Sequence, residues 1–327
     1  MVAKPPPPPP APAPSPATAL APDWVAVDWG TSRLRAWAMR GDRVLEARSS
    51  GQGMGTLEPA EFEPALLDLI RDWIEARAAR APAPGPLPVI ACGMVGARGG
   101  WVEAAYRAVP CSPLDPADAV PAPVRDPRLT VRVLPGLCQA APPDVMRGEE
   151  TQIAGFLRAE PGFHGTLCLP GTHSKWVTVA GGVIGAFRSF MTGELYALLS
   201  GQSVLRHTIR GAAPDPGAFA QAAHEARARP EAVAGALFGL RARSLLDGLA
   251  PGAAAGRLSG LLIGAELAGA RDFWQDRPTV VIGADALAGL YAQALSDAGA
   301  EARRADAQSL VLAGLISAAA HLIPRSP

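Results

Sequence analysis

Two segments decide the fold of this chain: Asp28-Trp29-Gly30-Thr31-Ser32 and Pro170-Gly171-Thr172-His173-Ser174-Lys175. Each places Gly-Thr at a turn directly after an apolar run that reads as a β-strand, over residues 24–27 and 165–169. Backbone N–H groups and hydroxyls at such turns can bind phosphate oxygens, and a carboxylate such as Asp28 can hold Mg²⁺ through water. A single turn of this kind is common in ordinary hairpins, but its repetition predicts two half-sites for one phosphorylated ligand.

The same order of elements follows both segments. Strands are predicted over 25–29, 33–39 and 43–48 in the first half and over 166–169, 175–179 and 183–190 in the second half. Gly41-Asp42 and Gly181-Gly182 mark the hairpin that closes the third strand in each half. Chance similarity of two α/β domains is the alternative, but the shared position of the hairpin favours a duplicated antiparallel meander.

The remaining pattern alternates helices and strands and so predicts an α/β fold. The first half continues with a helix over 59–80, strands over 87–92 and 129–134, and a helix over 149–157. Beyond Glu194 the pattern predicts helices, interrupted by one strand over 279–282. That strand leads into Gly283-Ala284-Asp285 and a further helix.

The length of 327 residues and the apolar content of 49% allow two domains, each with its own core. We expect an N-terminal domain over 23–164 and a C-terminal domain over 165–327. Residues 1–22 form a proline and alanine tract without the apolar centre of a signal peptide, which predicts a disordered tail. A partner-binding polyproline segment is the alternative for this tail.

The charge balance argues against nucleic acid or a membrane surface as a partner, because 30 basic residues face 30 acidic ones. No apolar stretch reaches the roughly 18 residues that a membrane span requires. Cys92, Cys111, Cys138 and Cys168 form no CxxC pair, which predicts free thiols in a reducing cytoplasm. A cytoplasmic protein acting on a small molecule is therefore expected; its oligomeric state is open, with a homodimer as one option.

Eight ordered blocks between Trp24 and Ala320 carry a resemblance to a known family. They read VDWGTSRLRAW, ACGMVGARGGW, LPGLCQ, VMRGEETQIAGF, LPGTHSKWV, FRSFMTGELYALL, LSGLLIGAELAGAR and VVIGADALAGLYAQAL. They resemble the 2-dehydro-3-deoxygalactonokinase family of the sugar-kinase, actin and Hsp70 superfamily. The proline tail and the stretch over 214–230 fall outside the resemblance.

This resemblance implies two duplicated actin-like ATPase domains of ribonuclease H-like topology, with ATP in the cleft between them. It also implies ATP-dependent phosphorylation of 2-dehydro-3-deoxy-D-galactonate at its terminal hydroxyl. Two alternatives stay open: a kinase for another sugar or sugar acid, and a catalytically silent sugar-sensing module.

The resemblance further implies that the two Gly-Thr turns bind Mg²⁺ and ATP. Asp28 would organise the metal, although an Asp here could instead cap its own turn. Leu169 and Pro170 stand where superfamily members often carry an acidic residue, so the second turn is expected to bind phosphate alone. The residues implied to bind the nucleotide are Asp28, Gly30, Thr31, Ser32, Arg33, Gly171, Thr172, His173, Ser174, Lys175, Gly283 and Ala284.

Some of these positions have an alternative interpretation. His173 could be a hydrogen-bonded structural residue, because its neighbours are polar. Arg33 and Arg35 alternate with apolar residues, so they project to one face of a strand that could be simply solvated. Ala284 replaces the second glycine that usually follows in the adenosine-binding motif of the superfamily.

A catalytic base is expected outside the two turns. Related sugar kinases carry Gly-Asp-Gln upstream of the second phosphate turn, with the Asp as base, and Gly148-Glu149-Glu150 occurs in that place. The resemblance therefore implies Glu149 as the base that accepts the proton of the attacking hydroxyl, with Glu150 as the alternative. Together with Asp28 they form the expected catalytic set. Two glutamates at a helix start could also just complement the helix dipole.

The implied substrate is a 2-keto-3-deoxy sugar acid, whose carboxylate favours an arginine that can bind it in bidentate fashion. Arg98 and Arg147, each beside a glycine, are both candidates. For Trp101, a place in the core is as plausible as a place in the sugar pocket. The expected sugar-contacting residues are Met94, Gly96, Trp101, Gly193 and Glu194.

Overall fold

The structure is a computed structural model that describes residues 20–80 and 85–323. Most of the predicted tail, residues 1–19, lies outside the described residues. The last part of that predicted segment is packed, because Ala21 is fully buried. The carbonyl of Pro22 accepts a hydrogen bond of 3.0 Å from Nη1 of Arg77. The packed structure thus includes residues before position 23.

The predicted α/β class is confirmed. The strands are β1 (Trp24–Trp29), β2 (Leu34–Arg40), β3 (Arg43–Ser50), β4 (Leu87–Gly93), β5 (Tyr106–Ala108), β6 (Val120–Pro121), β7 (Leu129–Val133), β8 (Gly136–Gln139), β9 (Asp144–Met146), β10 (Gly165–Leu169), β11 (Ser174–Ala180), β12 (Val183–Phe190), β13 (Thr279–Gly283) and β14 (Ala302–Asp306). The α-helices are α1 (Phe62–Ala78), α2 (Glu149–Ala159), α3 (Thr192–Gly201), α4 (Arg206–Ile209), α5 (Pro216–Ala228), α6 (Val233–Leu246), α7 (Pro251–Gly269), α8 (Arg271–Trp274), α9 (Asp285–Asp297) and α10 (Ala307–Leu322).

Two sheets repeat one topology. Their strand orders are β3-β2-β1-β4-β7-β6 and β12-β11-β10-β13-β14, and a smaller sheet has the order β5-β8-β9. In each large sheet the first strand pairs antiparallel with the second and parallel with a later strand, β4 or β13. This arrangement is the duplicated meander that the sequence predicts.

A β-bulge recurs at the same place in both meanders. The register of β2 against β3 shifts between Ala38 and Met39, and that of β11 against β12 shifts between Thr178 and Val179. Both shifts lie just before the two-residue hairpin turn. Because a bulge adds one unpaired residue at a defined point of a ladder, its recurrence favours duplication over chance similarity.

The boundaries of α1 follow from its cap. The predicted helix over 59–80 begins as a 3₁₀ turn, Pro59–Glu61, and continues as α1. The carboxylate of Glu61 accepts the backbone N–H of Glu58 at 2.8 Å, which completes a capping box at the start of the turn. One face of this helix is apolar and buried, and it includes Leu66, Ile70 and Trp73.

The prediction of a single strand beyond Glu194 is wrong. β14 pairs in parallel with β13 and forms the edge of the second sheet. Its sequence, ARRAD, has no apolar run because an edge strand with exposed side chains can be polar. The three-stranded sheet was also not predicted, since β5, β8 and β9 are only three or four residues long.

Packing divides the chain into two compact units. The first unit holds the chain up to residue 103 together with residues 120–133, and the second holds residues 104–119 and the chain from residue 134 onward. The boundary predicted between residues 164 and 165 follows the sequence repeat, and it stays a prediction. Within residues 20–80 and 85–323, no helix is long and apolar enough to cross a bilayer.

Candidate active site

Asp28 forms an ion pair with Arg35 in the first unit. The two residues lie directly opposite each other on β1 and β2, and their side chains are in contact. Asp28 is only 8% exposed. Burial raises the pKa of the Asp28 carboxyl, while the charge and hydrogen bond of Arg35 lower it. Asp28 is thus a nearly buried carboxylate beside the first Gly-Thr turn.

The first turn is supported from behind by a second glycine-rich segment. The backbone N–H of Met54 donates to the carbonyl of Gly30 at 3.0 Å, and that of Gly55 donates to Thr31 at 2.9 Å. A Cβ on Gly53 would overlap the backbone of Thr31 and Ser32. Thr31, Ser32 and Arg33 are exposed. The backbone of the turn is therefore held in place while its side chains are exposed, which suits phosphate binding.

The second turn has the same kind of support. A Cβ on Gly193, in the first turn of α3, would overlap the carbonyl of Gly171. The backbone N–H of Glu194 donates to the carbonyl of Thr172 at 2.9 Å. Gly193 follows the end of β12 by three residues, and Gly53 follows the end of β3 by the same distance. Sequence analysis missed this supporting glycine in the first half, although its position after the third strand is a usable signal.

His173 and Ser174 differ in where their side chains lie. Nε2 of His173 is 2.5 Å from Oε2 of Glu194, and both side chains are partly exposed. Ser174 is fully buried, and its hydroxyl donates to Oε1 of Glu266 at 2.7 Å. The hydroxyl of Ser174 therefore points into the core, whereas His173 lies at the surface of the turn.

Glu266 is a buried carboxylate that sequence analysis did not assign to any site. It is 3% exposed and also accepts hydrogen bonds from Nε1 of Trp176 at 2.7 Å and the hydroxyl of Tyr291 at 2.6 Å. Burial raises its pKa, and the surrounding donors lower it. The sequence did contain a signal for this residue, because a glutamate is unusual within the apolar segment that forms α7. Its contacts link β11 and α9 to α7.

Lys175 is directed away from the surface of the second turn. It is 6% exposed, and its Nζ donates to the carbonyl of Val145 at 3.0 Å and to the hydroxyl of Ser189 at 2.6 Å. The same hydroxyl donates to Oδ1 of Asp144 at 2.7 Å. Lys175 also lies close enough to Glu149 for its charge to lower the pKa of that carboxyl.

Glu149 and Glu150 begin α2 after Gly148, whose φ of 106° suits glycine. Oε2 of Glu149 accepts the backbone N–H of Arg147 at 3.1 Å. Burial raises the pKa of Glu149, and the nearby charges of Lys175 and His173 lower it. Glu149 is half-buried, so part of it stays accessible.

Glu150 has a different environment from its neighbour. It is fully buried and accepts hydrogen bonds from the N–H of Gly148 at 2.7 Å and from the hydroxyl of Thr151 at 3.1 Å. Burial, reinforced by the charge of Glu149, raises the pKa of Glu150 to about 8. Burial therefore favours the protonated form of Glu150 and keeps this carboxyl away from solvent, in contrast to Glu149.

The two candidate arginines also differ. Arg147 is 8% exposed, whereas Arg98 is exposed in the first unit. Nη2 of Arg147 donates to the carbonyl of Ala104 at 2.7 Å, and its guanidinium lies 4.3 Å from the ring centre of Tyr106. Its Nε and Nη1 are buried and have no hydrogen-bond partner.

Three of the residues expected to contact the sugar lie in the first unit. Met94 is half-buried and Gly96 is buried, in the 3₁₀ turn after β4. Trp101 is 7% exposed and packs in the core of the first unit, with its ring 6.1 Å from that of Trp29. This position matches the core alternative for Trp101.

The adenosine motif adjoins the second turn. Gly283 is buried at the end of β13, and the exposed Ala284 precedes α9. A Cβ on Gly283 would lie 3.6 Å from Cδ of Pro170, the residue before Gly171. Gly283 and the second turn are therefore neighbours within the second unit.

The sequence profile of the 2-keto-3-deoxy-galactonokinase family matches residues 28–318. The chain belongs to this family. A probable 2-dehydro-3-deoxygalactonokinase of Rhizobium meliloti is 39% identical over 311 residues, which cover 92% of this chain and 98% of the relative. The 2-dehydro-3-deoxygalactonokinase of Escherichia coli is 34% identical over 305 residues, covering 90% and 97%.

A solved structure supports the same membership. It is that of a Sinorhizobium meliloti protein described as a 2-dehydro-3-deoxygalactonokinase, with a TM-score of 0.81 and 38% identity. The match covers 92% of this chain and 100% of that structure. The family resemblance carried by the eight sequence blocks is thus confirmed.

The two Gly-Thr turns fit the phosphates of a nucleotide, and the carboxylate of Asp28 fits a divalent metal. Among residues 20–80 and 85–323, no three His, Cys, Asp or Glu side chains cluster to hold a metal ion. Mg²⁺ in phosphoryl-transfer enzymes needs only one or two carboxylates, because water and phosphates supply its other ligands. Asp28 offers one such carboxylate, and the supported turns offer backbone and hydroxyl donors for phosphate.

Proposed function

We propose that this chain transfers the γ-phosphoryl group of ATP to the terminal hydroxyl of 2-dehydro-3-deoxy-D-galactonate. The products are ADP and 2-dehydro-3-deoxy-6-phospho-D-galactonate, as in galactonate catabolism. The observation that carries the proposal is Glu149, a half-buried carboxylate near the positive charge of Lys175 in a member of this kinase family. Such a group can accept a proton from an alcohol next to a phosphate-binding turn.

The turns are proposed to bind the phosphates of ATP. Gly30, Thr31 and Ser32 would provide donors in the first unit, and Gly171 and Thr172 would do so in the second. Asp28 would hold Mg²⁺, directly or through water. When bound, Mg²⁺ would neutralise negative charge on the phosphates during transfer.

Glu149 is proposed as the base. As the substrate oxygen forms its bond to the γ-phosphorus, its proton passes to the Glu149 carboxylate. The bond from that phosphorus to the oxygen of ADP breaks, and ADP leaves with the electron pair. The backbone N–H of Arg147 orients the carboxylate, and the charge of Lys175 favours its ionised form. Glu150 is proposed to act structurally, because it is buried and its pKa is about 8.

The experiment is ADP release, measured by a coupled assay, with the purified full-length chain. The substrates are 2-dehydro-3-deoxy-D-galactonate, its gluco epimer, other sugar acids and simple hexoses. We expect turnover with the 2-keto-3-deoxy acids and none with the hexoses. Turnover confined to hexoses would overturn the substrate assignment, and absence of turnover with every compound would favour a silent sugar-sensing module.

The remaining expectations from the sequence are retained as proposals. They are a cytoplasmic location, a small-molecule substrate as a partner, and no binding to nucleic acid or to a membrane. A homodimer is an open option. Sedimentation of the purified chain, with and without substrate, measures the oligomeric state directly.

A further inference from the structure

We infer that Arg147 binds the carboxylate of the substrate and thereby makes the enzyme prefer a sugar acid over a neutral sugar. The inference rests on the proposed function, since it assigns one residue of that site to one end of the substrate. The observation behind it is that the Arg147 side chain, in the second unit, is buried without a full set of hydrogen-bond partners.

The guanidinium of Arg147 is buried but incompletely satisfied. It is 8% exposed, and Nε and Nη1 have no partner. An arginine stays charged at all physiological pH values, so burial cannot be relieved by loss of a proton. Among the described residues, no carboxylate forms an ion pair with it. A buried charge of this kind calls for an anion supplied from outside the chain.

The contacts that Arg147 does make leave donor hydrogens unused. Tyr106 packs against a face of the guanidinium and the carbonyl of Ala104 takes one hydrogen of Nη2. Nη2 carries two hydrogens, one on the side of Nε and one on the side of Nη1. The guanidinium therefore keeps one fork, that is, one pair of neighbouring N–H groups that point in the same direction. A carboxylate binds such a fork with two parallel hydrogen bonds.

The backbone connects this arginine to the proposed base. The N–H of Arg147 donates to Glu149, while its guanidinium extends towards Ala104 and Tyr106. A substrate with a carboxylate at one end and the reacting hydroxyl at the other could thus be held by two residues of one short segment. Any shift of Arg147 would also shift the N–H that orients Glu149.

Other cations of the chain fit this role less well. The Nζ of Lys175 already donates to the carbonyl of Val145 and the hydroxyl of Ser189. Arg98 is exposed to solvent, where a pair with a carboxylate gives little binding energy. Arg147 is the candidate that combines burial with unused donors.

The test compares the acid substrate with its primary amide, which has the same shape without the charge. The variants are Arg147→Met, Arg147→Lys, the competing Arg98→Met and, as a matched control, Arg243→Met on the exposed side of α6. KM and kcat are measured for each compound, and KM for ATP is measured alongside.

Arg147→Met should raise KM for the acid by about 10- to 100-fold, the range for a lost charged hydrogen bond. KM for the amide and for ATP should change less than about 3-fold. Arg147→Lys should be intermediate, because lysine keeps the charge but lacks the fork. Arg98→Met and Arg243→Met should resemble the wild-type enzyme.

The inference is wrong if Arg147→Met raises KM for the acid and KM for the amide by the same factor. It is also wrong if the selective rise in KM for the acid occurs in Arg98→Met instead. If Arg147→Met does not fold, the acid-to-amide ratio of Arg147→Lys decides: an unchanged ratio overturns the inference. Failure of the proposed substrate is separate, since it shows in the wild-type enzyme. The same comparison can then be made with whichever sugar acid the wild-type enzyme accepts.

Discussion

Lys175 occupies in the second unit the place that Arg35 occupies in the first. Each is the second residue of a three-strand rung: Asp28, Arg35 and Ser49 in one sheet, and Leu169, Lys175 and Ser189 in the other. The cation and the serine are repeated, but the carboxylate is replaced by leucine. Arg35 therefore forms an ion pair within its own rung, whereas Lys175 has only the hydroxyl of Ser189 there, and its charge acts on Glu149.

The identity of the base can be tested with a matched pair of variants. Glu149→Gln should lower kcat by at least about 100-fold, because the carboxylate that accepts the proton is lost. ATP binding, measured by calorimetry, should stay within about 3-fold, as no ATP-binding turn is altered. Glu150→Gln is the control, and it should keep most of its activity. If Glu149→Gln is active and Glu150→Gln is not, the base is Glu150.

The charge of Lys175 should appear in the pH dependence of kcat/KM. The groups acting on Glu149 are Lys175 and His173, which lower its pKa, and the adjacent carboxyl of Glu150. A base is active only when deprotonated, so activity falls as the pH drops through the pKa of Glu149. Lys175→Met removes a positive charge and should move this acid limb to higher pH.

Lys175→Arg is the control for that experiment, because it keeps a positive charge at the same position and should leave the acid limb near that of the wild-type enzyme. A purely structural lysine would give a different result. Lys175→Met would then lower kcat/KM equally at every pH, and the limb would not move.

The buried carboxyl of Glu150 should make stability depend on pH. Its pKa is raised from 4.5 to about 8 on folding. Between these values the unfolded chain releases a proton that the folded chain retains, so stability is lost as the pH rises. The loss from this group can reach about 1.4 kcal/mol per pH unit, and it ends above the folded pKa.

Glu150→Gln should remove that loss, because glutamine does not titrate. Urea unfolding midpoints are measured at pH 6, 7, 8 and 9, in steps of about one unit. The stability of the variant should rise relative to that of the wild-type protein as the pH increases. Glu231→Gln, at an exposed position, is the control and should run parallel to the wild type. Parallel behaviour of Glu150→Gln as well would contradict the prediction.

The glycine behind the second turn gives a prediction about nucleotide binding. A Cβ on Gly193 would overlap the backbone of Gly171, so Gly193→Ala should displace the turn and raise KM for ATP by about 10-fold or more. Gly201, at the end of the same helix, has no atom within 4 Å of an added Cβ. Gly201→Ala should leave KM for ATP unchanged. Equal KM values for the two variants would show that the turn does not contact ATP.

Much of the fold was predictable because its signals are local. The apolar runs, the Gly-Thr turns and the two hairpins lie within a few residues of one another, and all six meander strands appear where the pattern predicts them. β14 escaped prediction because its place at a sheet edge depends on its partner β13, not on its own polar sequence.

The site was only partly predictable, for the same physical reason. Ser174 and Lys175 belong to a phosphate-turn motif by sequence, yet their polar atoms contact Glu266, Val145 and Ser189. Which way a side chain points depends on the neighbours that folding provides. A motif in a single sequence does not contain that information.

The sequence by itself determined the duplicated strand-turn pattern, the family and the set of candidate residues, since these depend on the order of residues along the chain. Only the tertiary structure showed that Glu149 and Glu150 differ in burial, and that Arg147 and Arg98 do so as well. Burial and nearby charge decide the state of an ionisable group, and both come from residues distant in the chain: Arg147 meets the carbonyl of Ala104, which is 43 positions earlier.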